Sequence, residues 1–307
     1  TPISFNLAAA QEGTPASINW GDGVFVEYVI GPTFSEPSGE VKGEDIVIKG
    51  DVRRFNCTSS KLKMLDVSNC PRLEVLMAAL NYLSEIDLSR NAELANIELF
   101  SNNLKSLDVK ACSKLQRLVV SGNFLSELDV THCPELAYFD CARMGRLERL
   151  DLARCPKLTH LVASDCRLMA LVLSEQAPLE ELLIADNRLS ELNLAPYNQL
   201  KIVNCSGNKE IKELTLNAPE LTQLLAMNTA ISQLDLTHCP KLSYLMVTGA
   251  SNLSKLLLPT PCLLTDLGMS SCNFDQFDFG AMASLSQLWC NSNSRLSHLD
   301  VSKCPEL

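Results

Sequence analysis

From Val52 to the end of the chain, apolar residues recur at positions 1, 4 and 6 of a unit that returns every ten or eleven residues, in two alternating versions. Series A begins at Val52, Leu73, Leu94, Leu115, Leu136, Leu158, Leu179, Leu200, Leu221, Leu242, Leu264 and Leu285. Series B begins at Leu62, Leu83, Leu104, Leu125, Leu147, Leu168, Leu189, Ile211, Ile231, Leu253, Phe274 and Leu296. One A and one B make a full repeat, with steps of 20 to 22 residues and about twelve copies over residues 52–307. A unit this short cannot bury its own apolar side chains, so copies must stack and share one core, which makes the chain a solenoid.

The ninth position favours two residue types. Series A places Asn81, Asn102, Asn123, Asn187, Asn208 and Asn293 there, with Cys166 and Cys272 as substitutes. Series B places Cys70, Cys112, Cys133, Cys155, Cys239 and Cys304, with Asn91. The resulting unit L-x-x-L-x-L-x-x-N/C is a short strand followed by a turn whose side chain satisfies backbone groups between coils. "LSELDVTHCPELAYFDC" and "LKSLDVKACSKLQRLVVSGNFL" carry the pattern. Residues 52–307 thus resemble the leucine-rich repeat superfamily, and within it the bacterial nested class of about 21 residues in which both half-repeats read L-x-x-L-x-L. The resemblance implies a mainly β, right-handed leucine-rich repeat solenoid. Both half-repeats carry the strand pattern, so parallel strands are expected on both sides instead of a helical convex face.

Residues 1–51 do not fit the repeat and read as a small antiparallel β cap: "ISFNLAA", then "SINWGDG" turning into "VFVEYVIG", then "EDIVIKG". Gly21-Asp22-Gly23 supplies the positive φ of a hairpin turn. A solenoid end exposes strand edges and raw core, so a cap is physically required. "NWGDG" resembles a stretch found ahead of the repeats in secreted bacterial leucine-rich repeat proteins. At the other end Leu307 would begin a thirteenth series A strand, and the expectation is that the native chain continues, with disorder beyond this point or self-association through an uncapped end as the alternatives.

His132-Cys133-Pro134 and His238-Cys239-Pro240 invite a metal or nucleophile reading, but they occupy the same turn of two coils five repeats apart, roughly 24 Å at strand spacing. They cannot share an ion, and they are expected to be turn residues. Cys57, Cys141, Cys205 and Cys290 fall at inward position 6 of series A, where small residues face the larger series B residues Leu88, Leu152, Leu236 and Phe279 across the core. With no CxxC pair and an odd count of 13, the cysteines are expected as buried thiols. Asp66, Asp87, Asp108, Asp129, Asp151, Asp235, Asp278 and Asp300 form a column at position 5 of series B. Each is expected to accept a local turn hydrogen bond, because the interleaved D-x-D of calcium solenoids is missing.

Position 5 of series A is different: Met77, Val119, Val162, Leu183, Leu225, Met246 and Trp289 point outward, and Phe100, Tyr138 and Tyr244 add aromatic area beside them. These ten residues are the candidate ligand face. A net charge of −10 disfavours nucleic acid, and no apolar run is long enough to span a membrane as a helix. No phosphate loop, G-x-S-x-G or HExxH is present, and no cofactor or metal is implied. The expectation is a non-enzymatic recognition or adhesion module that binds a protein, or alternatively a glycan, at a bacterial cell surface or after secretion, its signal segment removed. A structural spacer, or the targeting repeats of a longer secreted effector, is the alternative.

Overall fold

The computed structural model describes residues 2–307, which form, among the described residues, twenty-four strands and no helix. They gather into two compact units, the first running to Arg146 and the second from Leu147 to Leu307. The first unit opens with β1 (Pro2–Ser4), β2 (Asn6–Ala8), β3 (Thr14–Asn19), β4 (Phe25–Ile30), β5 (Ser38–Glu40) and β6 (Val47–Gly50). β3 lies between β4 and β6 in an antiparallel sheet, and β1 pairs with β5, a strand the sequence pattern did not suggest. The Asn19 carboxamide oxygen accepts the N–H groups of Gly21 and Gly23, and both glycines hold positive φ, so "NWGDG" closes the β3–β4 hairpin.

The series A pattern then produces β7 (Arg54–Asn56), β8 (Val75–Met77), β9 (Asn96–Glu98), β10 (Arg117–Val119) and β11 (Tyr138–Asp140), stacked in parallel. β2 lies antiparallel on β7, with Leu7 opposite Phe55, so the edge of the first coil is paired by the preceding segment.

In the second unit both series give strands, in alternation: β12 (Arg149–Leu152), β13 (His160–Val162), β14 (Ala170–Leu173), β15 (Glu181–Leu183), β16 (Leu192–Leu194), β17 (Ile202–Asn204), β18 (Leu214–Leu216), β19 (Gln223–Leu225), β20 (Gln233–Asp235), β21 (Tyr244–Met246), β22 (Lys255–Leu257) and β23 (Asp266–Gly268), then β24 (Gln287–Trp289). β13, β15, β17, β19, β21, β23 and β24 form one parallel ladder on the series A side. The series B side is parallel in pairs, β12 with β14, β16 with β18 and β20 with β22. In the first unit the series B segments run without a strand ladder, so parallel strands on both sides belong to the second unit.

Each series A strand occupies positions 3 to 5 of its unit, with position 4 facing the core; Leu76, Ile97, Leu118, Leu182, Val203 and Leu245 are fully buried. Leu88, Leu152, Leu236 and Phe279 of series B are buried as well, and so are the smaller Cys57, Ala78, Cys141 and Ala226 at position 6 of series A, a large-and-small set suited to close packing. Position 8 carries a positive φ in all twelve coils, at Ser59, Leu80, Ser101, Gly122, Arg143, Asp165, Asp186, Gly207, Asn228, Gly249, Ser271 and Ser292. Three of these are glycine and three are Asp or Asn, which tolerate this region; at the other six, Leu80 and Arg143 among them, tertiary contacts impose the turn over local preference.

The contacts at position 9 explain why the two series choose different residues. At the series A corner, Asn102 donates through Nδ2 to Ala78 O (2.9 Å) and Leu99 O (3.0 Å), while its Oδ1 accepts Leu83 N–H (3.0 Å). Asn81, Asn123, Asn187 and Asn208 repeat the same three contacts. At the series B corner the equivalent N–H is already satisfied by the backbone: Leu73 N donates to Cys70 O, Leu94 N to Asn91 O and Leu115 N to Cys112 O. Only carbonyls remain there, and a thiol is donor enough; Cys112 Sγ reaches Asn91 O at 3.7 Å. Asn91 donates to Val67 O and Cys70 O, but its buried Oδ1 has no hydrogen-bond partner among the described residues.

Two substitutions to cysteine therefore have opposite outcomes. Asn102→Cys leaves the buried Leu83 N–H unpaired and is expected to cost about 1–3 kcal/mol, read from the urea midpoint. Asn91→Cys removes an orphaned acceptor and is expected to be neutral or stabilising in the same measurement.

Candidate ligand-binding face

Positions 3 and 5 of every series A strand point away from the core, so two columns of side chains cover that side of each unit. In the first unit the position 5 column runs Asn56, Met77, Glu98, Val119, Asp140 in register, so the carboxylates of Glu98 and Asp140 separate the apolar members Met77 and Val119. Arg117 ties the neighbouring column down: its Nε lies 3.1 Å from Glu98 Oε1 and its guanidinium stacks 3.9 Å from the ring centroid of Tyr138. Val119 is only 6% exposed. Phe100 stands half-buried in the turn after β9. Four of the ten expected face residues, Met77, Phe100, Val119 and Tyr138, thus sit in a largely polar, ion-paired surface.

The second unit gathers the other six. Its position 5 column runs Val162, Leu183, Asn204, Leu225, Met246, Gly268, Trp289, and its position 3 column places Ile202 and Tyr244 alongside. Asn204 interrupts the apolar column once. Gly268 interrupts it differently: a Cβ there would lie 2.3 Å from Met246 Sδ, so the thioether folds into the space a side chain would fill. Met246 is in consequence 8% exposed, whereas Trp289, one coil beyond the glycine, is 43% exposed. Ile202 and Gly268 were absent from the sequence-derived set. Ile202 is a lone β-branched residue among the polar members of its column, and the role of Gly268 depends on a neighbour one coil away. The result is a shallow apolar platform of Leu183, Ile202, Leu225, Tyr244, Met246 and Trp289.

The residues that carry titratable chemistry are turn components. Each of the eight series B aspartates accepts the N–H two residues on, from Ser68, Ser89, Lys110, Thr131, Ala153, Thr237, Gly280 and Ser302. The hydroxyl and N–H of the following Ser or Thr hold Asp66, Asp87, Asp129 and Asp235 below the ordinary carboxylate value of 3.8. His132 Nδ1 lies 3.2 Å from Thr131 Oγ1, and Cys133 Sγ turns inward to Val109 O at 3.8 Å, so the side chains of this pair point to separate partners. Burial pushes the thiols of Cys57 and Cys205 up to about 12 and those of Cys112, Cys155 and Cys272 up to about 11, which keeps them protonated and poor nucleophiles near neutral pH. Cys290, expected in the core, is only half-buried. Among the described residues no three His, Cys, Asp or Glu side chains converge on a possible metal position, and no helix is long and apolar enough to cross a membrane.

No protein-family model and no curated protein sequence matches the chain. Solved structures do. The functional domain of InlJ from Listeria monocytogenes, which includes a cysteine ladder, is 25% identical, with a TM-score of 0.56 over 87% of this chain and 70% of that one. An internalin of the same organism, InlF, is 15% identical with a TM-score of 0.51 over 80% of this chain and 85% of that one. The fold is that of the leucine-rich repeat proteins, and the similar structures include bacterial ones.

Two measurements check the chemistry of the turns. Because the folded carboxyls titrate below their unfolded values, their stabilisation is present above the unfolded value and is lost as pH falls through the folded one. The melting temperature is therefore expected to stay level from pH 7 to about pH 5 and to fall below about pH 4. Replacing Asp66, Asp87, Asp129 and Asp235 by Asn, which still accepts the turn N–H, should flatten that fall. Alkylation of the native protein at pH 8 should leave Cys57, Cys112 and Cys205 unmodified in peptide mass spectra over a period in which urea-unfolded protein reacts fully.

Proposed function

We propose that the chain is a non-enzymatic recognition module that binds a protein through the series A side of its second unit. The observation that carries this reading is the platform from Leu183 to Trp289, where Leu225, Tyr244, Met246 and Trp289 occupy outward positions of consecutive or near-consecutive coils. Aromatic residues and methionine are the types enriched at protein interfaces, and charged residues are the types depleted. Parallel strands hold these side chains at fixed spacing of about 4.8 Å per coil, so little ordering entropy opposes binding. The setting we propose is secretion or display on a bacterial cell, which rests on the resemblance of the repeats to the bacterial nested class.

The test substitutes lysine for Leu183, Leu225 and Trp289, sparing the buried Met246, and sets this variant beside one carrying lysine at the exposed series B side residues Met169, Val172 and Leu257. Both are immobilised with the unsubstituted protein and probed with purified extracellular-matrix proteins, mucins and a glycan array. A protein captured by the unsubstituted chain and the series B variant, but at least tenfold more weakly by the series A variant, with melting temperatures within about 3 °C, is the expected result. Equal loss from both variants removes the reading, and capture of glycans alone replaces the protein ligand with a carbohydrate.

A further inference from the structure

The cap presents a second surface of a different kind. Residues 1–51 hold eight carboxylates against two lysines, a net charge of −6 out of the −10 of the whole chain. Neither lysine is spare: Lys42 Nζ lies 2.6 Å from Asp22 Oδ2, and Lys49 Nζ lies 3.9 Å from the centroid of the Phe25 ring. β4 is the outer strand of its sheet, and among the described residues no strand pairs with its other edge. The strand is six residues long, reads Phe-Val-Glu-Tyr-Val-Ile, and contains neither proline nor lysine, the usual protections of an open edge. Val26 and Val29 are 44% and 71% exposed, and Glu27 between them is exposed as well.

The register sorts the two faces of this edge. On one, Ile18 lies between Val26 and Ile48; on the other, Ser17 lies between Glu27 and Lys49. A strand added beside β4 thus meets Val26, Tyr28 and Ile30 on one face and, on the other, the Glu27 carboxylate between Phe25 and Val29, within an acidic cap. A second copy of this chain would set two caps of −6 against each other, with a Glu27 carboxylate from each along one edge. Charge complementarity selects another occupant: we propose that β4 accepts an extended peptide segment of another protein, with apolar residues alternating with Lys or Arg, as a fourth strand of the β4–β3–β6 sheet. Main-chain hydrogen bonds along β4 provide the affinity, and the alternation sets which face carries the basic side chains. The site is independent of the platform in the second unit.

The probes are two short fluorescent peptides, one alternating Lys with Val and one alternating Glu with Val, added to the full chain. Fluorescence anisotropy reads binding, and hydrogen exchange by mass spectrometry reads location. The expected result is that the Lys-Val peptide binds, loses affinity at least tenfold between low and high salt, and slows exchange in the peptide covering residues 24–31 and not in the repeats. Glu27→Lys, which removes the one carboxylate on β4, should weaken binding of the Lys-Val peptide and narrow its margin over the Glu-Val peptide, while exchange in the repeats is unchanged. Protection confined to the repeats, failure of the Lys-Val peptide to bind, or equal binding of both peptides to the unsubstituted chain each overturns the proposal. So does protection of residues 24–31 that appears on concentrating the protein without peptide, which would make a second copy the occupant.

Discussion

At five series A corners, those of Asn81, Asn102, Asn123, Asn187 and Asn208, an N–H and two carbonyls are removed from water and one carboxamide answers all three. Unpaired backbone groups of this kind are costly in a dry interior, so where position 9 is asparagine the stacking of neighbouring coils depends on it. Its contacts reach back one coil, from Asn102 to Ala78 and from Asn208 to Ile184, so each corner is completed by its predecessor. The series B corner presents a smaller problem, because its N–H bonds the carbonyl of position 9 directly. A thiol, a small apolar group with a weak donor, fits it without bringing a surplus acceptor. The orphaned oxygen of Asn91 shows what the larger polar residue brings to that position.

Much of this architecture was legible from the order of residues. All twelve series A strands fall at the same positions of their units, because inward-facing leucines at a fixed period leave a chain one way to bury them. The aspartate column and the His-Cys pairs read as turn chemistry because each repeats with the unit. Less legible were features that depend on neighbours 21 residues away. The positive φ at position 8 is occupied by Leu80 and Arg143 as readily as by Gly122, so no local preference announces it. That series B would form paired strands only beyond Arg149 is likewise absent from the L-x-x-L-x-L pattern, which is the same in both units.

The candidate face shows the same limit at the level of side chains. Ten outward apolar residues in a list look like one stripe, yet Glu98, Asp140 and Asn204 stand in register among them. Val119 is buried despite its outward position, and Met246 lies folded over Gly268. Outward direction comes from strand periodicity and could be assigned from the sequence. Accessibility comes from which residue stands one coil above and one below, and had to wait for the register.

The reach of the asparagine ladder also bears on how such a chain changes through descent. An exchange between two copies of the repeat that deletes one coil of about 21 residues rejoins a corner whose donors find carbonyls at the same places, and a duplication does the same in reverse. Coil number is therefore a heritable quantity that can move in single steps without a new solution to the folding problem. The platform from Leu183 to Trp289 would be inherited differently, since it exists only while six particular coils remain adjacent.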